Sequence, residues 1–121
     1  TRAMNTVLLV DDEIEICELL CAMLKRTGVE CTTAYSLEEG RKAIKEHDFD
    51  AVFLDVNLPD GLGYQLIPEI RSKMPNASCI AISAMDSERS NALKAGADTF
   101  LAKPFNRQDI FTKIKDLGFQ A

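Results

Sequence analysis

The feature that most constrains the fold is a set of short apolar runs that lack polar alternation. Ala51–Leu54 and Cys79–Ile82 each place four apolar residues in a row. Such runs are typical of strands that are buried on both faces, as in a parallel sheet. The sequence therefore predicts a buried parallel sheet, with strands over Thr6–Val10, Glu30–Ala34, Ala51–Asp55, Cys79–Ser83 and Thr99–Ala102.

Helical periodicity fills the intervals between these strands. The first predicted helix has an apolar stripe of Ile14, Cys17, Leu20, Met23 and Leu24, widened by Ile16 and Leu19. Ser36 with Glu39, and Asn106 with Asp109, have the spacing of helix N-terminal caps. The third helix is predicted around Leu66, Ile67 and Ile70. The fourth, over Ser87–Ala95, has a weak apolar face of Ala92, Leu93 and Ala95.

Five alternations of strand and helix predict an α/β fold, with right-handed crossovers that place helices on both faces of the sheet. A doubly wound parallel sheet of five strands commonly has the order 2-1-3-4-5, and we expect that order here. One domain over residues 4–121 accounts for the pattern. We interpret Met4 as the native start and Thr1–Ala3 as residues added before it.

The composition narrows the classes of function. A formal net charge of −5 argues against direct binding of nucleic acid, because a phosphate backbone attracts basic surfaces. No apolar run approaches the roughly 20 residues that span a membrane. The four cysteines lack CxxC spacing and fall in apolar segments, so we interpret them as reduced core thiols of a cytoplasmic protein. Cys17 and Cys21 share a helix face but lack further metal ligands.

Acidic residues stand where two neighbouring strands end. Asp55 closes the third strand, and Asp11 and Asp12 follow the first. These strands flank the topological switch point, where open α/β sheets bind ligands. Three converging carboxylates repel one another unless a cation compensates, and Mg²⁺ prefers such oxygen ligands. The sequence therefore predicts a Mg²⁺ site at this edge of the sheet.

Two further strand ends add groups that suit a phosphoryl group. Ser83 ends the fourth strand with a hydroxyl, and Lys103 follows the fifth with an ammonium. Each group also has a simpler interpretation. Asp55 could cap its loop, the acids at 11–13 could cap the first helix, Ser83 could be a loop hydroxyl and Lys103 a solvated lysine. Their coincidence at four strand ends favours a common site.

The order of these groups resembles a known family. The residues are Leu9-Val10-Asp11-Asp12-Glu13, Asp55 with Leu58-Pro59 and Gly63, Ser83-Ala84, and Lys103-Pro104-Phe105. Together they resemble the receiver domain of bacterial two-component response regulators, from about Asn5 to Leu117. The resemblance implies a flavodoxin-like (βα)5 fold. It also implies a phosphorylation-dependent switch that catalyses only its own phosphoryl transfer and dephosphorylation.

The resemblance assigns a role to each matching residue. Asp55 is similar to the phosphoacceptor, and Lys103 to the lysine that contacts the phosphoryl group. Asp12 would bind Mg²⁺ directly, Asp11 through water and Asn57 through its backbone carbonyl, with Asp55 completing the metal site. Ser83 and Phe100 are similar to the switch pair, and the Lys103–Pro104 peptide bond to one that is cis in the family.

The resemblance also implies partners. A sensor histidine kinase would donate the phosphoryl group, and a downstream effector domain or protein would receive the signal. Phosphorylation would repack the face made by the fourth helix, the fifth strand and the last helix, through which a homodimer could form; the oligomeric state is not given by these residues. The cognate kinase and the output are not given by these residues. His47 is interpreted as a surface residue.

Two other functions fit parts of the pattern less well. A Mg²⁺-dependent phosphatase similar to haloacid dehalogenases would carry Asp-x-Asp at the first strand, whereas the nucleophile candidate here ends the third. A flavin-binding module would need a phosphate loop after the first strand, where the acids at 11–13 would repel a phosphate.

Overall fold

The structure, a computed structural model, describes residues 4–119. Its parallel strands are β1 Thr6–Val10, β2 Glu30–Ala34, β3 Ala51–Asp55, β4 Ser78–Ser83 and β5 Thr99–Ala102. Its helices are α1 Ile14–Lys25, α2 Leu37–Glu46, α3 Ile67–Lys73, α4 Glu88–Lys94 and α5 Arg107–Asp116. The predicted start at Met4 is not tested by the structure, and Thr1–Ala3 lie outside the described residues.

The sheet has the predicted order, β2-β1-β3-β4-β5. All four pairs of neighbouring strands are parallel. β1 and β3 pair with Val10 opposite Leu54, so Asp11 and Asp55 leave the sheet side by side. The doubly wound α/β fold is therefore confirmed, and with it the convergence of the first and third strand ends.

The sheet divides the core into two apolar clusters. One side packs β3 residues such as Val52 and Leu54 against α2, α3 and α4. The other packs Phe53 and its neighbours against α1 and α5. No helix among residues 4–119 is long and apolar enough to cross a membrane.

Three apolar residues that the helical stripes place inward are in fact exposed. Ile14 and Leu19 of α1 are 53% and 49% exposed, and Leu93 of α4 is 49% exposed. They lie at the margins of their stripes, where the helix surface turns away from the sheet. The buried face of α1 is accordingly narrower than predicted, with Cys17, Leu20, Met23 and Leu24.

Both predicted helix caps are present. The Ser36 hydroxyl accepts a hydrogen bond from the backbone N–H of Glu39 at 3.1 Å. Asn106 and Asp109 form a reciprocal capping box at the start of α5, in which each side chain accepts from the other's backbone N–H at 2.9 Å. Local sequence therefore defines where α2 and α5 begin.

Candidate functional site

Three carboxylates meet at the carboxyl ends of β1 and β3. Oxygen atoms of Asp11, Asp12 and Asp55 all lie within 4.8 Å of one another. Asp11 is held in place because its backbone N–H donates to the carbonyl of Ala34 at 3.0 Å. Its side chain accepts from the N–H of Glu13 at 2.9 Å. The geometry thus brings together the acidic groups that the sequence predicts to converge.

The three carboxylates differ in exposure. Asp11 is 2% and Asp55 is 5% exposed, whereas Asp12 faces solvent. Burial raises the pKa of Asp55 to about 6, and the negative charge of Asp11 adds to the effect. Lys103 and the N–H of Asn57 oppose it. The site therefore holds an acidic side chain in an environment that disfavours its charge.

Lys103 joins this cluster from the end of β5. Its Nζ lies 2.9 Å from Asp11 Oδ2, 2.6 Å from Glu13 Oε1 and 3.4 Å from Asp55 Oδ2. Although burial lowers its pKa, the hydrogen bond to Glu13 and the negative charges of Asp11 and Asp55 raise that pKa above its usual value. The ammonium stays charged and balances part of the acidic cluster.

Glu13 is a member of the site that the sequence analysis missed. The sequence analysis assigned Asp11 and Asp12 to a Mg²⁺ site but gave Glu13 no role beyond a possible cap of the first helix, and Glu13 makes no side-chain cap for α1. Its carboxylate instead holds Lys103, which is 90 residues away in sequence. The sequence signal that could have revealed this contact is a third acidic residue, Glu13, after the first strand, together with Lys103 after the fifth strand.

The residues around Lys103 are set by the β4–β5 pairing. Ser83 lies opposite Ala102, and the carbonyl of Ser83 accepts from the N–H of Lys103 at 2.9 Å. The peptide bond between Lys103 and Pro104 is cis. The Ser83 hydroxyl is buried and accepts from the N–H of Met85 at 3.0 Å.

Phe100 lies two pairs before Ser83 and Ala102 in the same strands, opposite Ala81. Its side chain is 1% exposed and belongs to the cluster that contains α2, α3 and α4. The guanidinium of Arg89 lies over its ring, 4.8 Å from the centroid. Phe100 therefore connects the end of β5 with α4.

A short hairpin follows Asp55. Asn57–Leu58 pairs in antiparallel fashion with Gly61–Leu62, and the N–H of Asn57 donates to Asp55 Oδ1 at 3.2 Å. Glycine is required at position 63, because a Cβ there would lie 2.1 Å from the carbonyl oxygen of Asp55. The hairpin thus folds back tightly onto the end of β3.

The residues present fit a hard divalent cation. Asp11 Oδ2 is buried and makes no hydrogen bond within the described residues. Lys103 Nζ is nevertheless 2.9 Å from this oxygen, which is an ion-pair distance without hydrogen-bond alignment. The oxygen thus keeps a lone pair for another partner, and Asp12 offers a solvent-exposed carboxylate beside it. Oxygen-only ligands suit Mg²⁺.

Comparison with known proteins supports the same interpretation. The family model described as "Response regulator receiver domain" matches residues 7–115. The chain is 36% identical over 118 residues to the transcriptional regulatory protein GltR of Pseudomonas aeruginosa, covering 93% of this chain and 48% of the relative. It is 37% identical over 114 residues to the CpxR homologue of Haemophilus influenzae, covering 93% and 49%. The chain spans about half the length of these curated relatives.

Solved structures agree in fold. The response regulator TrrA of Thermotoga maritima, in complex with Mg²⁺ and beryllofluoride, is 36% identical with a TM-score of 0.83. That match covers 94% of this chain and 99% of TrrA. The beryllofluoride-activated NtrC4 receiver domain dimer is 38% identical with a TM-score of 0.84, covering 94% and 96%.

Proposed function

Because this chain belongs to the family of response regulator receiver domains, which are phosphorylation-dependent switches, we propose that Asp55 accepts the phosphoryl group. The observation that carries this assignment is its position. Asp55 is the one acid of the cluster that ends the central strand, with Lys103 on one side and the hairpin on the other. Its raised pKa also reflects a carboxylate held in a desolvated pocket.

The proposed reaction is a phosphoryl transfer from a phosphohistidine. An Asp55 carboxylate oxygen attacks phosphorus, an O–P bond forms and the P–N bond to the imidazole breaks. The imidazole leaves with the bonding electron pair and takes a proton from solvent. Lys103, 3.4 Å from Asp55 Oδ2, is placed to neutralise charge on the transferred oxygens. Later hydrolysis of the acyl phosphate would end the signal.

The proposed Mg²⁺ ligands are Asp12 directly, Asp11 through water, the Asn57 backbone carbonyl and Asp55. When bound, the cation would neutralise charge on the phosphoryl oxygens. Without it, Lys103 is the cation that faces Asp11 and Asp55. The ligand set is supported by the free lone pair of Asp11 and the closeness of the three carboxylates.

Switching would act through Ser83 and Phe100. The Ser83 hydroxyl would turn from the N–H of Met85 toward the phosphoryl group. Phe100, which is already buried beside α4, would repack into the space released. The face of α4, β5 and α5 would change as a result, because Arg89 of α4 lies on the Phe100 ring. Phosphorylation then shifts an equilibrium between two packings.

The phosphodonor would be a sensor histidine kinase in the cytoplasm. A cavity of about 390 Å³ beside Lys103 is lined by the apolar side chains of Ile16, Leu19, Ala84, Pro104 and Phe105. A donor histidine must come within bonding distance of Asp55, so an apolar surface next to it suits a kinase helix. A downstream effector domain or protein would receive the signal. The phosphorylated receiver would form a homodimer through α4, β5 and α5.

The test is phosphorylation with acetyl phosphate and Mg²⁺, followed by intact mass measurement. The parent should gain one phosphoryl group, and Asp55→Asn should gain none. Asp12→Ala should lose both Mg²⁺ binding and phosphorylation. An Asp55→Asn variant that gains the same mass with parent kinetics would overturn the assignment.

A further inference from the structure

The hairpin that follows Asp55 is tied to a distant helix by one carboxylate. Asp60, at the hairpin tip, accepts hydrogen bonds from the backbone N–H of Leu37 at 2.7 Å and of Glu38 at 3.1 Å. These are the first two residues of α2 and stand 23 and 22 positions away in sequence. Each N–H donates to a different oxygen of Asp60, so the two hydrogen bonds fix both the orientation of the carboxylate and its distance from α2.

The helix does not need Asp60 for its own cap. Ser36 already caps α2 by accepting from the N–H of Glu39. Two caps thus divide the free N–H groups at this helix end, one local and one from the hairpin. The Ser36 cap would suffice to begin the helix. We therefore interpret the contact from Asp60 as one that holds the hairpin in place.

Packing at the tip agrees with a tether. A Cβ at position 61 would lie 2.6 Å from Leu37 Cδ1, so the hairpin backbone sits directly on the first residue of α2. Leu58 is buried in the same apolar cluster as Leu37. Donation from the amides of Leu37 and Glu38 also lowers the pKa of Asp60, which keeps the carboxylate charged.

The other end of the hairpin reaches the phosphorylation site. Asn57 pairs with Leu62, and the N–H of Gly63 donates to the carbonyl of Val56 at 2.8 Å. The unit between Val56 and Gly63 is therefore a closed ladder with its base at Asp55 and its tip at Asp60. Fixing the tip limits the positions available to the Asn57 backbone at the base.

We propose that Asp60 is a positioning residue for phosphoryl transfer: by holding the hairpin on the first turn of α2, it fixes the Asn57 carbonyl in the direction of the cation. This role rests on the proposed function, since it assumes that Asn57 is a ligand. It predicts that a side chain outside the acidic cluster controls the affinity for Mg²⁺.

The experiment compares Asp60→Ala with Ser36→Ala. Both remove a cap from the same end of α2, but only the first releases the hairpin. Mg²⁺ is titrated by amide NMR at about 1 M KCl, where a Debye length of about 3 Å removes the through-solvent effect of one exposed charge. Asp60→Ala should weaken Mg²⁺ binding about tenfold, the lower end of what losing a ligand-orienting contact costs. Ser36→Ala should bind Mg²⁺ like the parent.

Two further measurements separate the tether from its consequence. Asp60→Asn keeps one acceptor oxygen and should bind Mg²⁺ with an affinity between those of the parent and Asp60→Ala. Amide hydrogen exchange without metal should quicken over residues 56–63 in Asp60→Ala and stay unchanged there in Ser36→Ala.

Parent-like Mg²⁺ affinity in Asp60→Ala, or an equal loss in Ser36→Ala, would overturn the proposal. Failure of the proposed function would look different. A parent that itself bound no Mg²⁺ would remove the role of Asp60 in the reaction, while the exchange data would still report whether the tether exists.

Discussion

Helices α2 and α4 pack on the same side of the sheet, but they are held in different ways. α2 buries Leu37, Gly40, Ala43 and Ile44. Its start is bound by Asp60, and at its end Lys73 Nζ donates to the carbonyls of Ile44, Lys45 and His47. α4 buries Ala92 alone and has no side-chain cap at Ser87.

Polar and aromatic contacts compensate for the weak apolar face of α4. The Tyr64 hydroxyl donates to Glu88 Oε2 at 3.0 Å. Burial, and to a smaller extent this hydrogen bond, raises the pKa of Tyr64 to about 12. Arg89 covers Phe100. Contacts of this kind can be exchanged without opening an apolar core, so α4 can move while α2 stays fixed.

The largest expected effect is the difference in response to a phosphoryl mimic. Beryllofluoride with Mg²⁺ should shift amide resonances over residues 83–95 and 99–110, and change those of 39–46 in α2 much less. Phe100→Leu, which keeps an apolar side chain, should reduce the α4 shifts while Asp55 is still phosphorylated. Asp55→Asn serves as the control without response. Equal shifts in both helices would break the comparison.

The second test compares stability. Ile44→Ala should lower the free energy of unfolding by about 2–5 kcal/mol, because it leaves a cavity beneath α2. Leu93→Ala, at an exposed position of α4, should change it by less than about 0.5 kcal/mol. Urea denaturation of both variants measures the difference. A large loss in Leu93→Ala would mean that α4 is anchored more firmly than its contacts indicate.

The third test asks whether the folded protein is destabilised at the carboxyl ends of the strands, where Asp55 lies, rather than around α2. The pKa of Asp55 is about 6 in the folded state against 3.8 for an ordinary aspartate, so the folded chain binds more protons between these values. The stability contributed by this extra bound proton is therefore full below about pH 4 and is lost as the pH rises from 4 through 6. Without divalent metal, Asp55→Asn should stabilise the protein at pH 7.5 by on the order of 2 kcal/mol.

That gain should shrink as the pH falls from 6 to 4, and thermal unfolding across this range measures it. A gain in Asp55→Asn that stayed constant down to pH 4 would mean that desolvation of the carboxylate is not its source.

The smallest effect concerns a single hydroxyl. Tyr64→Phe removes the hydrogen bond to Glu88 and should cost about 0.5–1.5 kcal/mol. Amide exchange should quicken in α4 and stay unchanged in α2. Tyr35→Phe is the matched control, because its hydroxyl accepts from Thr33 Oγ1 at 3.3 Å, away from α4. Faster exchange in both helices would mean that Tyr64 stabilises the whole core and not α4 in particular.

What the sequence could predict follows from local patterns. Apolar runs located the strands, and strand ends located Asp55, Ser83 and Lys103. Periodicity did not show that Ile14 and Leu19 are exposed. An apolar stripe shows which face of a helix points toward the core, but not how much of that face the neighbouring elements cover. The contacts of Glu13 with Lys103 and of Asp60 with Leu37 join residues distant in sequence, so only the tertiary arrangement reveals them.

The division of the core into two clusters has a consequence for sequence change. Substitutions on opposite faces of a sheet share few partners, so their effects on stability should add, whereas those within one cluster should couple. The α1 and α5 side, next to the apolar cavity, can therefore vary without repacking α2, α3 and α4. A chain built in this way can change the α1 surface beside the cavity while Phe100 keeps its packing beside α4, because the two belong to separate clusters of the core.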